Sequence, residues 1–168
     1  PAEPIVVELR PIALELSDNG AVLDFELMVG NATPAQAEGL KVAYGLMSAS
    51  QIQDELIAGF HNTQLTPVAD PFDLAPRAGV RIPGKLALEP DKINIVDVGG
   101  RPMFVPILMV DVRWRSGLSL KHAGYDFMVG MGGPTDKLGP VWLDKGAQRH
   151  ERLNANRYVP KPAQVAAE

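Results

Sequence analysis

The segment VGMGGPTDKLG, residues 129–139, combines clustered glycines with a threonine and a lysine, the residue types of phosphate-binding loops. The template G-x-x-x-x-G-K-[ST] needs a hydroxyl residue directly after the lysine, because that hydroxyl binds the magnesium ion. Here Leu138 follows Lys137, and Pro140 opposes the helix whose first amides would bind the anion. We therefore interpret the segment as a strand exit, with Lys137 exposed in a loop.

The histidines are the next candidates for chemistry. His61, His122 and His150 lie far apart in the sequence, and none has a second ligand at helical or hairpin spacing. A zinc site or a catalytic triad would need two or three such side chains to converge with a carboxylate. The sequence favours three separate histidines, of which His122 lies in a strand and could contact Asp111 or Arg113 across a hairpin.

Carboxylates and aromatic residues indicate a weaker possibility, a ligand site made of loops. Asp70 and Asp73 lie in a proline-rich loop, but calcium usually needs six or more oxygen ligands, so a turn is the preferred interpretation. Trp142 lies near a strand end, whereas Trp114 alternates with apolar residues and is predicted to be core. If the protein binds a ligand, we expect Asp70, Asp73, Lys137 and Trp142 to contribute.

Composition limits the class of protein. The 168 residues are 46% hydrophobic and 21% charged, as in one globular domain, with no apolar run long enough to span a bilayer. The lack of cysteine excludes disulfides, thiolate zinc sites and a cysteine nucleophile. Residues 1–60 carry two bases against nine acids, and residues 61–168 carry fourteen bases against eleven acids. The bases are dispersed and not interleaved with aromatics, so nucleic-acid binding is not expected.

The ends of the chain differ in composition from its middle. Residues 1–4 and 160–168 are rich in proline and alanine, which is typical of linkers. We predict a single domain over residues 5–159, and the first residue, Pro1, indicates either processing or a piece of a longer protein.

Most of the chain has the two-residue periodicity of strands. Residues 5–16 and 21–30 flank the turn SDNG and are predicted to form a hairpin, in which Pro11 marks a sheet edge or a break. A third strand is predicted from Leu40. In the second half, the apolar run RPMFVPILMVDVRWR predicts a central strand, with Pro106 at a bulge or at its entry, and LSLKHAGYDFMVG predicts its hairpin partner.

One helix is expected, at about residues 50–60. Ser50 and Gln53 have the spacing of a capping box, and Ile52, Leu56, Ile57 and Phe60 form one apolar stripe. The helix is predicted to lie against an edge or end of a sheet. Seven to nine short strands with a single helix are typical of an all-β, immunoglobulin-like antiparallel sandwich.

Two segments resemble a known family. VLDFELMVGNATPAQAEGLKVAYGLMS, residues 22–48, and DLAPRAGVRIPGKLAL, residues 73–88, are similar to bacterial immunoglobulin-like domains of the CARDB type. Residues 100–117 and 129–146 resemble parts of uncharacterised bacterial envelope proteins that carry such a sandwich beside a membrane anchor. The resemblance covers residues 5–131, and the chain departs from it at Ala32 and in the added helix.

The resemblance implies a cell-envelope location outside the cytoplasm and no catalytic residue. We predict no enzyme, no metal ligand and no cofactor, and expect a non-enzymatic interaction or spacer module. Its partner would be a protein or another envelope component, with a membrane anchor possible beside the chain but not in it. The expected contact surface is an unpaired strand edge, or the helix with its preceding strand. The alternative is a sandwich that binds carbohydrate or a peptide through its end loops.

Overall fold

A computed structural model describes residues 2–161, which form an antiparallel β fold with one α-helix. The helix is α1 (Gln53–His61), and a single 3-10 turn covers Pro90–Lys92. The strands are β1 (Ile5–Ser17), β2 (Gly20–Asn31), β3 (Ala37–Ser48), β4 (Phe72–Leu74), β5 (Gly79–Leu88), β6 (Val96–Val98), β7 (Arg101–Phe104), β8 (Pro106–Ser116), β9 (Ser119–Met131), β10 (Val141–Trp142), β11 (Gln148–His150) and β12 (Leu153–Tyr158).

The strands form two main sheets and one small sheet. The smaller main sheet has the order β11-β1-β2-β5, the large sheet has the order β12-β9-β8-β3-β4, and β10-β7-β6 form the third. One apolar cluster joins the two main sheets, with fully buried Leu23 and Leu27 from one and Val110 and Val112 from the other. The predicted all-β sandwich is confirmed. The described residues form twelve strands, seven of which have six or more residues, whereas seven to nine were predicted.

The first hairpin forms where the sequence predicts it, and Pro11 has a local effect. β1 pairs with β2 along its whole length, with a register shift between Pro11 and Ala13. β11 pairs with β1 only at Leu14–Leu16, beyond the proline. Because proline cannot donate a ladder hydrogen bond, the edge of β1 stays unpaired beside it, and the expected break is a bulge.

The second predicted hairpin is also present, and its first strand lies in the middle of the large sheet. β8 pairs with β3 on one side and β9 on the other. Pro106 begins β8 after the short strand β7, which agrees with its predicted place at the entry to the sheet. Trp114 is only 6% exposed, so its predicted place in the core is confirmed.

The helix lies elsewhere than predicted and buries only part of the predicted apolar stripe. It packs on the outer face of the large sheet against β8, a central strand, and not at an edge or end. Ile57 is its one buried residue, whereas Ile52 is 53% and Leu56 is 46% exposed. Of the predicted apolar stripe only Ile57 and Phe60 pack on the sheet, and Asp54 also reaches it by accepting a hydrogen bond from the Tyr158 hydroxyl of β12.

The predicted capping box is only half formed. The backbone N–H of Ser50 donates to Gln53 Oε1 over 3.0 Å, but the Ser50 hydroxyl accepts from Ile52 and not from Gln53. The helix begins after Ile52, which has no side chain able to cap it.

The ends of the described chain contact the sandwich. Within the predicted linker 1–4, the Pro4 carbonyl accepts from the Ala32 N–H, and Glu3 pairs with Arg157. Of the predicted linker 160–168, residues 162–168 lie outside the described residues. No helix between residues 2 and 161 is long and apolar enough to cross a membrane.

Candidate functional site

The densest group of polar side chains lies on the outer face of the large sheet, at the C-terminal end of α1. It comprises His61 from the helix, Asp111 and Arg113 from β8, and His122 and Asp126 from β9. We call these five residues the His61 cluster. Asp111 and Asp126 are 1% and 3% exposed, so their carboxylates are removed from bulk water and must be paired.

His61 connects the two carboxylates. Its Nδ1 lies 2.9 Å from Asp111 Oδ2, and its Nε2 lies 2.8 Å from Asp126 Oδ1. Two carboxylate acceptors require a donor on each ring nitrogen, which is the imidazolium form. Burial opposes that charge, but the hydrogen bonds and negative charges of both aspartates raise the pKa of His61 to about 9. The ring is therefore a cation at neutral pH.

Asp111 is the centre of the cluster. Besides His61, it accepts from Arg113 Nε over 3.0 Å and lies 2.5 Å from His122 Nε2. Burial works against its charge, yet hydrogen bonds from His61, His122 and Arg113 hold the pKa of this carboxyl below its ordinary value. The contact with His122 confirms the cross-strand pair that the sequence predicts.

Arg113 also ties the end of the helix to the sheet. One of its terminal nitrogens donates to the backbone carbonyls of His61 and Thr63, each over 2.9 Å. The last carbonyls of a helix have no partner within the helix, and a cation there also complements the helix dipole. Arg113 thus stabilises both Asp111 and the chain that leaves α1.

Strand register explains why these side chains meet. Asp111 pairs with Gly124 and Arg113 with His122, so alternate residues of the two strands share the outer face. The His61 ring lies over Gly124, where an added Cβ would come within 2.8 Å of it. In the same way, Phe60 lies over Gly45, whose added Cβ would be 2.8 Å from the ring. Two glycines therefore give the helix end its close approach to the sheet.

A second candidate surface lies at the other end of the helix. Its members are large apolar side chains that are 40–63% exposed: Ile52, Leu56, Ile95, Val96 and Val98. We call this set the helix-end patch. Three of them, Ile52, Ile95 and Val96, line an open groove of about 760 Å³ between the start of α1 and the chain at residues 94–97. Exposed apolar residues grouped in this way are typical of interaction surfaces.

The four residues predicted for a loop site lie in two separate places. Asp73 Oδ1 accepts from the Gly39 N–H over 2.8 Å, so Asp73, with Asp70 nearby in sequence, lies by the first residues of β3. Trp142 pairs with Met103 just before β8, which starts opposite the last residue of β3. The aspartates and Trp142 are therefore at opposite ends of the large sheet, and the structure does not bring all four residues together.

The glycine segment closes on itself. Met131 and Gly139 exchange two backbone hydrogen bonds, of 3.0 and 2.8 Å, and Lys137 is exposed within the loop between them. The short strand β10 follows, and no helix begins there. Trp142 in β10 stacks on Arg101, whose guanidinium lies 3.9 Å from the ring centroid and also pairs with Asp144.

The convergence of His61 with His122 is what sequence reasoning missed. Period-two spacing could have placed His122, Gly124 and Asp126 on one face of a strand. No local pattern shows which residue of a separate helix reaches that face, because the contact spans fifty residues or more.

Comparison with known proteins adds no relative. No protein-family model matches the chain, and no curated protein or solved structure matches it. The structure therefore defines only the fold class, which is an antiparallel sandwich with a helix packed on its outer face. The resemblance to CARDB-type domains stays a prediction.

Proposed function

We propose that this chain is a non-enzymatic interaction module of a bacterial cell-envelope protein and that it binds its partner through the helix-end patch. The observation that carries the proposal is the grouping of exposed Ile52, Ile95 and Val96 around one groove, with exposed Leu56 lining a second groove. The proposed surface shares the helix with one of the two surfaces that the sequence predicts, but residues 95–98 take the place of the preceding strand.

Charge around the patch indicates the chemistry of the partner. Glu55 and Asp97 are exposed beside it, and a second groove on the other side of Leu56 is bordered by Glu89 and Lys92. The rim thus carries more acids than bases. An apolar surface with an acidic rim favours a basic amphipathic segment, whose apolar side chains fill the groove and whose lysines or arginines pair at the rim. The same rim repels anionic lipid headgroups.

The free strand edge is less suited to binding. Among the described strands, β5 pairs with β2 alone and leaves its other edge open. Pro83 in the middle of β5 cannot donate a hydrogen bond, and Arg81 and Lys85 on either side are exposed. Proline and charge are the usual means by which proteins prevent strand addition.

The loop-based alternative has less support, because Asp70 and Asp73 lie far from Trp142 along the large sheet. Enzymatic activity is not part of the proposal. In the His61 cluster both ring nitrogens of His61 are engaged by carboxylates, so this ring has no nitrogen left to act as a general base.

Two peptides of equal length test the proposal, one made of leucine and lysine and the other of leucine and glutamate. In an NMR titration, the lysine peptide should shift the amide signals of residues 49–56 and 94–97, more weakly as salt is added. Ile52→Asp or Ile95→Asp should weaken this binding at least tenfold. Leu118→Asp is the matched control, since Leu118 is fully exposed on the β8–β9 turn, at the opposite end of β8.

Equal binding of both peptides, or shifts that avoid the groove, would contradict the proposal. Binding of the chain to anionic vesicles through the patch would replace the protein partner by a membrane. The envelope location needs a separate test, in which the protein in intact cells should become accessible to protease once the outer barrier is opened. If the protein stays protected from the protease, the proposed envelope location is refuted, but the proposed binding surface is not.

A further inference from the structure

The His61 cluster contains the ligand set of a transition-metal site. His61 Nδ1, Asp111 Oδ2 and His122 Nε2 lie within 4.8 Å of one another. Two imidazole nitrogens and one carboxylate oxygen are ligands that Zn²⁺ and similar divalent ions take, usually in sites with one further open position. We propose that these three residues bind a divalent transition-metal ion of the zinc class.

The hydrogen-bond partners of two of the ligands, His61 and Asp111, support this assignment. Asp126 Oδ1 lies 2.8 Å from His61 Nε2, which leaves Nδ1 of the same ring as the ligand atom. Arg113 donates to Asp111 Oδ1 over 3.0 Å, which leaves Oδ2 directed at the two histidines. A metal-bound histidine usually donates its other nitrogen to a carboxylate in this way, and the partner fixes the ring and increases its basicity.

The three ligands come from three elements that are already held in place. His61 is fixed by its seat over Gly124, and Asp111 belongs to the central strand β8. His122 projects from β9 and is the most exposed of the three, with 40% of its side chain exposed. A bound ion would therefore link the end of α1 to the β8–β9 hairpin.

Small movements of both histidines away from Asp111 complete the geometry. Tetrahedral zinc separates its ligand atoms by about 3.3 Å, since each Zn–N or Zn–O bond is about 2.0–2.1 Å long. The present separations from Asp111 Oδ2 are 2.9 Å to His61 Nδ1 and 2.5 Å to His122 Nε2. Tetrahedral binding therefore requires His122 Nε2 to move away from Asp111 Oδ2 by about 0.8 Å and His61 Nδ1 to do so by about 0.4 Å.

Local charge and space also accommodate an ion. With both histidines neutral, Asp111 and Asp126 outnumber Arg113, so the cluster is negative and needs a cation. A cavity of about 420 Å³ reaches Asp111 from solvent and gives an ion a path to this ligand, although neither histidine lines it.

Binding of Zn²⁺ to the full chain, after treatment with a chelator and dialysis, tests the site by calorimetry. We expect one ion per chain, and Co²⁺ should give the visible absorption of a four-coordinate site. Asp126→Asn, which changes only the group behind His61, should weaken binding about 10–100-fold. His122→Ala should weaken it at least tenfold, and the exposure of His122 lets this variant fold.

His150→Gln is the matched control, because His150 lies in β11, on the other main sheet, and should leave the affinity unchanged. The proposal is overturned if the chain binds no zinc at one equivalent, since the cluster would then be an ion-pair network alone. It is equally overturned if His122→Ala, shown to be folded by its NMR spectrum, binds as tightly as the parent. Neither result bears on the helix-end patch, which shares no residue with the cluster.

Discussion

The docking of α1 should depend on Ile57 and hardly at all on its neighbour Leu56. Ile57 is fully buried with Ile107 and Met109, whereas Leu56 is 46% exposed. Ile57→Ala removes three carbon atoms, worth about 0.8 kcal/mol each, and the cavity that remains brings the loss to about 2–5 kcal/mol. Leu56→Ala should cost less than about 1 kcal/mol, because much of that side chain stays in water when the protein folds.

Urea unfolding followed by the fluorescence of the buried Trp114 measures the global effect. A nine-residue helix is not stable alone, so it can also detach before the sandwich unfolds, and amide hydrogen exchange at residues 53–61 measures that local step. Ile57→Ala should lower both the stability and the protection of the helix amides. The reasoning is refuted if Leu56→Ala has the larger effect in both experiments, since the predicted stripe and not the observed face would then dock.

Three further predictions concern the core. Gly84→Ala should destabilise the protein by about 1–3 kcal/mol in urea, because the new Cβ would lie 2.4 Å from the Phe25 ring; an unchanged midpoint would contradict this packing. Tyr125 donates to the Ile5 carbonyl over 2.6 Å, and Tyr125→Phe should cost about 1 kcal/mol at neutral pH. Burial raises the pKa of Tyr125 from 10 to about 12, so the unfolded chain ionises first and stability falls between these pH values. The parent should lose at most about 3 kcal/mol of stability over this pH range, and Tyr125→Phe should lose none of it. Equal dependence of stability on pH in the two proteins would disprove this effect of Tyr125. Asn31→Ala should cost about 1–3 kcal/mol by thermal melting, because the amide donates to three backbone carbonyls at 2.7–3.3 Å; a Tm equal to that of the parent would argue against those bonds.

Much of the fold is readable from local sequence, because each strand is specified by residues that lie close together. The SDNG turn between two alternating segments predicts the first hairpin, and Gly20 there has a φ of +107°. The second hairpin follows from the apolar run that contains Trp114 and from the alternation around Tyr125. The pairing of His122 with Asp111 follows in turn from the register of that hairpin.

The helix shows where local reasoning stops. Its presence at about residues 50–60 was predictable, but its orientation was not, since Ile52, Leu56, Ile57 and Phe60 fit an apolar stripe equally well. Which of these residues become buried depends on where the sheet surface leaves space. Gly45 and Gly124 leave space for Phe60 and His61, and this turns Ile57 inward and leaves Ile52 and Leu56 in solvent.

The sequence by itself determined that this protein is an antiparallel β-sandwich with one short helix, because alternation and turn residues act over a few positions. Only the tertiary structure decided where the helix docks and which polar groups meet beneath it. His61 is fifty residues from Asp111 and sixty-five from Asp126, and packing across the sheet alone brings them together. The same packing exposes the helix-end patch, so both candidate sites follow from how one nine-residue helix lies on β8.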